Sequence, residues 1–373
     1  MSFPHRYAHG TASHPRPAPP TTFRSKTSAA VLGGASPTHE LRRLGSGQIS
    51  LRNRALYNSL MALDHMLPRK LALRWVAGPR ERVHAKIRNE LEHRPKGRLI
   101  PVIRRRSLSP DEFFHEYLRP GIPVVMEGMA SDWPCCGKWT FDFFDELYGD
   151  DPVVLTDGVI PHVPSVARRY AVFRDILRSS DGAQAEYLRF HPLLAMHPEL
   201  TDDFPLNWFE TYKHRRSLYS HIQFFVGSKG TATGLHNSQL CNLFVMVHGE
   251  KQWVLYPTAY TPFMDPQTSR SVYRLSRHNT GNFIEPALSK LDGYLVHMRP
   301  GDVLWNPPFY WHSVRNMTDT IGVGYRWNDQ RAAARQSLSM LLLDLFATDP
   351  TWFRIWRIGV QERRRMLRRG GNS

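Results

Sequence analysis

The chain has 373 residues, 41% hydrophobic and 12% aromatic, which excludes a disordered protein and suits about two domains with a sizeable core. Its net charge of +16 sits at the ends: residues 1–100 carry 18 basic and 5 acidic side chains, Arg104, Arg105 and Arg106 follow, and 351–373 carry 7 basic residues against one acid. The stretch 107–350 keeps 21 basic and 27 acidic residues, a net −6. That balance argues against nucleic acid as a partner of the body, and any anionic partner is expected at the basic extensions.

Three cysteines, Cys135, Cys136 and Cys241, are too few for a disulfide scaffold and fit a reducing, cytoplasmic setting. No apolar run reaches the length of a membrane span, and the N-terminus lacks the apolar region of a secretory signal. Residues 1–48 are rich in Pro, Gly, Ser and Thr and read as a disordered basic tail. From Ser50 to Trp75, leucines 51, 56, 60, 63, 67 and 71 recur at helical spacing, with Ser50 as N-cap and Pro68 as a break. Residues 78–98 are charged and read as helical or extended on the surface, a solvated linker rather than a binding segment, and 49–100 is expected to be a basic helical extension.

The composition changes near Leu99. Ser109-Pro110-Asp-Glu marks a helix start, Pro123-Val-Val-Met126 a buried strand, Trp139–Leu147 a helix and Val153–Leu155 a strand. After Phe204 the pattern is mostly β: His221–Val226, Leu243–His248, Gln252–Tyr256, Val303–Asn306 and Ile321–Tyr325 are short, aromatic or β-branched, and bounded by turn residues. A β-barrel or jelly roll over 101–330 follows, with C-terminal helices and a basic tail at 331–373. Ala332–Phe346 and Trp352–Leu367 have helical periodicity.

Two segments carry the chemistry. The first runs Thr233-Gly-Leu-His236-Asn-Ser238 through Asn242 and Phe244 to Gly249-Glu-Lys251-Gln-Trp253. In an extended strand His236 and Ser238 point the same way. The second is Arg299-Pro-Gly301-Asp302 through Trp311-His312, a turn followed by a strand expected to deliver His312 at its end. Taken singly, Thr233, Asn242, Tyr187 and Lys251 are ordinary polar or aromatic residues. Asp265 and Glu285 read as surface acids, and His248, His278 and His297 as solvent-facing or structural.

Arg104 to Trp327 resembles the JmjC or cupin-like 2-oxoglutarate oxygenases, nearest the factor-inhibiting-hypoxia-inducible-factor type of protein hydroxylase. The matching features are Leu108-Ser-Pro-Asp-Glu-Phe113, Pro123-Val-Val-Met126, Trp133-Pro134, Tyr187-Leu-Arg and the two segments above. The resemblance implies a double-stranded β-helix with flanking helices, Fe(II) and 2-oxoglutarate as cofactors, and a peptide, protein or small molecule as the hydroxylated substrate. It makes His236 and His312 metal ligands and Lys251 the partner of the far carboxylate of 2-oxoglutarate. Thr233 and Tyr187 then give hydroxyl hydrogen bonds to that carboxylate, and Asn242 supports the co-substrate. It also implies a homodimer through C-terminal helices, for which Leu338, Leu341, Leu342, Leu345, Phe346, Trp352 and Trp356 offer an apolar stripe; packing of that stripe back on the barrel explains these residues equally.

The sequence departs from the family at the metal. The third ligand position, Asp or Glu in relatives, is Ser238, a neutral hydroxyl and a poor ligand beside a carboxylate. Gly324 replaces an asparagine of the last barrel strand. Three readings follow: a hydroxylase whose metal is held by the histidines with water or Ser238, an iron halogenase with chloride at the vacant position, or a catalytically silent binding module.

Overall fold

A computed structural model of the chain describes residues 48–156, 168–179, 186–266, 272–280, 282–345 and 347. The expected N-terminal tail up to residue 47, Phe346 and the expected helix over 352–367 with its arginine cluster lie outside the described residues. The first helix, α1 (Leu51–Met66), starts where the Ser50 hydroxyl accepts from the Asn53 amide at 3.3 Å. It stops ahead of Pro68, which has no N–H to continue the ladder, and α2 (Arg69–Trp75) and α3 (Ala77–Glu92) follow.

The stretch 78–98 is largely helix α3, one of the two forms expected of it, but it is packed rather than solvated. Val83, Ile87 and Leu91 recur four apart and are buried, while Lys86 and Arg88 between them stay exposed. The charge count of this segment hid a narrow apolar stripe. Arg80 ties the stripe to the rest of the molecule, with ion pairs to Asp64 at 2.6 Å and Asp265 at 2.7 Å.

Fifteen strands are formed among the described residues: β1 (Leu99–Pro101), β2 (Ile103–Arg105), β3 (Val124–Met126), β4 (Pro152–Thr156), β5 (Arg168–Val172), β6 (Tyr187–His191), β7 (Ser220–Gly227) and β8 (Ala232–Ser238), then β9 (Cys241–His248), β10 (Lys251–Tyr256), β11 (Tyr273–Leu275), β12 (Gly293–Met298), β13 (Val303–Asn306), β14 (Trp311–Asn316) and β15 (Thr320–Trp327). Six form one sheet in the order β1-β12-β10-β14-β8-β11, and seven form a second in the order β2-β3-β13-β9-β15-β7-β6. The remaining pair, β4 and β5, is a separate antiparallel ribbon. The two large sheets make the double-stranded β-helix expected from the sequence, with helices on its outer faces.

Strand alternation sorts the core into three parts. On β15, Ile321, Val323, Tyr325 and Trp327 face outward into a cluster shared with Phe113, Trp139, Phe144 and Phe209. The outward residues of the six-stranded sheet, Leu235, Val254, Tyr256 and Trp311, pack under Tyr57, Met61, Val83 and Ile87 of α1 and α3. Between the sheets lies a third cluster that includes Tyr187, Phe225, Phe244 and Trp253.

Of the apolar stripe near the C-terminus, the helix Leu338–Leu345 buries Met340, Leu341 and Leu343 in the cluster with α1, leaving Leu338, Leu342 and Leu345 exposed. No helix of the described residues is long and apolar enough to cross a membrane.

One expectation about the chain path is corrected. The strand after Asp302 does not carry His312 at its end; β13 stops at Asn306, and His312 is the second residue of a separate strand, β14. Pro307 and Pro308 lack the N–H that the ladder needs, and the chain turns through Phe309 at φ 60.

Candidate active site

The site lies between the sheets and is built mainly by β8, β9, β10, β14 and β15. Register places His236 of β8 directly opposite His312 of β14, with ring centroids 4.1 Å apart. Each ring is fixed by its Nδ1, which is paired with the backbone carbonyl two residues before it: Gly234 at 2.8 Å and Tyr310 at 2.9 Å. A carbonyl can only accept, so Nδ1 carries the hydrogen and each Nε2 keeps its lone pair. Both rings are buried, and burial pulls their pKa down, to about 4 for His312. They are neutral imidazoles in the ligating form.

Thr233 and His236 are three residues apart, so plain alternation would put them on opposite faces. They share the interior because the β8–β14 register shifts between the pairs His312↔His236 and Val314↔Thr233. Gly234 sits in this bulge, and a Cβ there would meet the Asn279 side-chain oxygen at 2.1 Å.

The second half of the site surrounds Lys251, the first residue of β10, which has no exposure. Its ammonium donates to Asn316 Oδ1, to Thr320 Oγ1 at 2.8 Å and to Tyr187 Oη at 3.4 Å. The Tyr187 ring lies 4.9 Å below it, and the Tyr187 hydroxyl bonds that of Thr233. Burial and the nearby Arg189 guanidinium both pull the Lys251 pKa down. No carboxylate pairs with this ammonium among the described residues. A fully buried cation surrounded by neutral oxygens is a strong anion receptor.

The structure thus brings together the sequence-predicted residues Tyr187, Thr233, His236, Asn242, Lys251 and His312. Asn242 is 2% exposed, faces inward beside Arg326 and Asn306 in register, and among the described residues neither its Oδ1 nor its Nδ2 has a hydrogen-bond partner. Ser238 is half-buried at the end of β8, opposite Tyr273 of β11. Asn316, Thr320 and Arg326 were missed by sequence reasoning. Their only signal is parity: each is a polar residue on the inward side of a barrel strand.

As a divalent-metal centre, the histidine pair fits in the two nitrogens it offers. Among the described residues no third His, Cys, Asp or Glu ligand atom joins them. The remaining positions therefore fall to Ser238, water or a bound chelator. The one group of three such residues that does converge, Glu81, His84 and Asp265, is a poor metal site. Asp265 is buried rather than on the surface, and its two oxygens already hold Tyr57 and Arg80 on one side and Arg277 at 2.6 Å on the other. Glu285 is also buried, accepting from the Thr280 amide at 2.7 Å.

The cupin-like domain family matches residues 110–333, more than half of the sequence, and the chain belongs to that family. It is 27% identical over 240 residues to the lysine-specific demethylase JMJ30 of Arabidopsis thaliana, covering 61% of this chain and 55% of that protein. It is 25% identical over 240 residues to Jumonji C domain-containing protein 5 of Drosophila melanogaster, covering 61% and 59%. It is 21% identical over 271 residues to the human bifunctional peptidase and (3S)-lysyl hydroxylase JMJD7, covering 63% and 85%. The chain spans little more than half the length of the first two.

Proposed function

We propose that the chain is an Fe(II)- and 2-oxoglutarate-dependent oxygenase that hydroxylates a peptide or protein side chain. The observation that carries this reading is the pairing of two ligating imidazoles with a fully buried, carboxylate-free Lys251 in one barrel. His236 and His312 would hold the iron, which supplies oxygen activation when bound. Lys251, Tyr187 and Thr233 would hold the far carboxylate of 2-oxoglutarate, leaving its keto-acid end to reach the histidines. The backbone carbonyls of Gly234 and Tyr310 keep both Nε2 atoms turned inward. The aromatic walls, Phe225, Phe244 and Trp253, would exclude water from the reacting end. Relatives named as lysine demethylases and as a lysyl hydroxylase support a protein side chain as the substrate.

Anaerobic titration with Fe(II) and 2-oxoglutarate, followed by succinate release in air, tests this. Micromolar binding of both and succinate formation are expected, and Lys251→Ala should lose the 2-oxoglutarate. A folded protein that binds no iron at micromolar metal would overturn the enzyme reading. Ser238 favours one second reading, a binding module that takes 2-oxoglutarate without turnover; tight co-substrate binding with no succinate would identify it.

A further inference from the structure

The barrel holds a buried cation that the reading above does not use. Arg326 is an inward residue of β15, opposite Asn242 in register, and is 5% exposed. Its guanidinium lies over the rings of Phe190, at 5.2 Å, and Phe225, at 5.9 Å. It bonds the hydroxyl of Tyr273, the residue facing Ser238 across the β8–β11 pair. Its Nε has no hydrogen-bond partner, and no carboxylate pairs with it among the described residues.

Asn242, beside it, is equally unsatisfied at both side-chain atoms. The two converge over Gly324: the point where a Cβ would sit is 3.2 Å from Asn242 Oδ1 and 3.6 Å from Arg326 Nε. Phe225 closes the third side, 3.4 Å from the same point, so only a residue without a side chain leaves these two groups uncovered.

We propose that Arg326 and Asn242 form a second carboxylate-binding site, at the histidine end of the barrel. It is separate from the receptor at Lys251, and it rests on the oxygenase reading of that barrel. Position 238 carries no negative charge, and Arg326 places an unpaired positive one nearby, so an added anion would balance the site. A planar guanidinium beside two aromatic rings, with the unpartnered Asn242 amide next to it, offers N–H donors that match the flat, two-oxygen shape of a carboxylate. Two sources offer one: the keto-acid end of 2-oxoglutarate, or an acidic side chain of the substrate.

The test uses metal-free protein, with Arg326→Gln, Arg326→Met and Arg326→Lys against the wild type. Calorimetry measures the affinity for 2-oxoglutarate. At saturating 2-oxoglutarate it then compares N-acetylaspartate N-methylamide with the asparagine analogue. If the co-substrate is the source, Arg326→Gln weakens 2-oxoglutarate about tenfold or more. If the substrate is the source, 2-oxoglutarate binding stays and the preference for the aspartate probe over the asparagine probe is lost.

Thermal melting separates binding from a structural role. An uncompensated buried charge costs stability, so ligand-free Arg326→Met should melt above the wild type and gain less from ligand. Should Gln and Met misfold, Arg326→Lys keeps the charge on a different head group and should bind at intermediate affinity. Unchanged 2-oxoglutarate affinity in the variants, with no preference for the aspartate probe in the wild type, overturns the proposal. So does a lowered melting point with unaltered binding. Lys251→Ala that still binds 2-oxoglutarate would sink the oxygenase reading instead, and the two probes can then be compared without co-substrate.

Discussion

Lys251→Met should have opposite effects on ligand binding and on stability. The substitution keeps the length of the side chain and removes a cation that is fully buried against Asn316, Thr320 and Tyr187. A hydrogen bond to a charged group contributes about 1.5–3 kcal/mol, and about 1.4 kcal/mol is a factor of ten, so 2-oxoglutarate should bind roughly 10–150-fold more weakly. The ligand-free protein should instead melt higher, because burial of an ammonium without an anion is unfavourable. Calorimetry and thermal shift on the same samples read both effects.

The pH dependence has a defined sign. The folded pKa lies below the ordinary lysine value of 10.5, so above it the unfolded chain binds more protons, and ligand-free stability rises with pH up to about 10.5. Affinity for the dianion falls over the same range, since it needs the protonated lysine. A methionine variant that binds 2-oxoglutarate as the wild type does would refute the anion-receptor argument.

Three further outcomes are expected. Ser238→Asp adds the missing carboxylate beside His236, and metal titration should show tighter binding by about tenfold or more; unchanged affinity would mean that position 238 does not reach the metal. Ile87→Ala, at a residue with no exposure in the α3 stripe, should cost about 2–5 kcal/mol in a single unfolding transition monitored by denaturant. An early transition of the helices alone would show that they do not share the barrel's cooperativity. Burial lowers the pKa of His191 from 6.5 to about 4, so the unfolded state takes up more protons between those values. Stability should therefore fall on acidification through that window by on the order of 3 kcal/mol, and His191→Phe should flatten the curve.

Much of the architecture was legible because it depends on local signals. The Ser109–Glu112 capping box, the break at Pro68 and the β-branched runs over 243–248 and 303–306 are readable one segment at a time. The seven candidate site residues, Ser238 among them, follow from motif spacing combined with family resemblance. Three features were not legible. The bulge at Gly234 depends on a side chain from a distant loop, that of Asn279. Packing of α3 depends on three apolar residues among many charges. Arg326 lies just past the end of the expected strand, Ile321–Tyr325; the observed extension of β15 to Trp327 places it on the inward side.

The covering of the six-stranded sheet by α1 and α3 has a practical side. The family-matching region begins at residue 110, after both helices have ended. A protein trimmed to that region would keep every proposed ligand-binding residue, yet present Leu235, Val254, Tyr256 and Trp311 to water as one adhesive face. Such a trimmed barrel would be expected to self-associate or to be lost to insolubility during preparation. The failure would look like a lost activity while every proposed site residue was still present, and keeping the chain from Gln48 through the helix Leu338–Leu345 removes its cause.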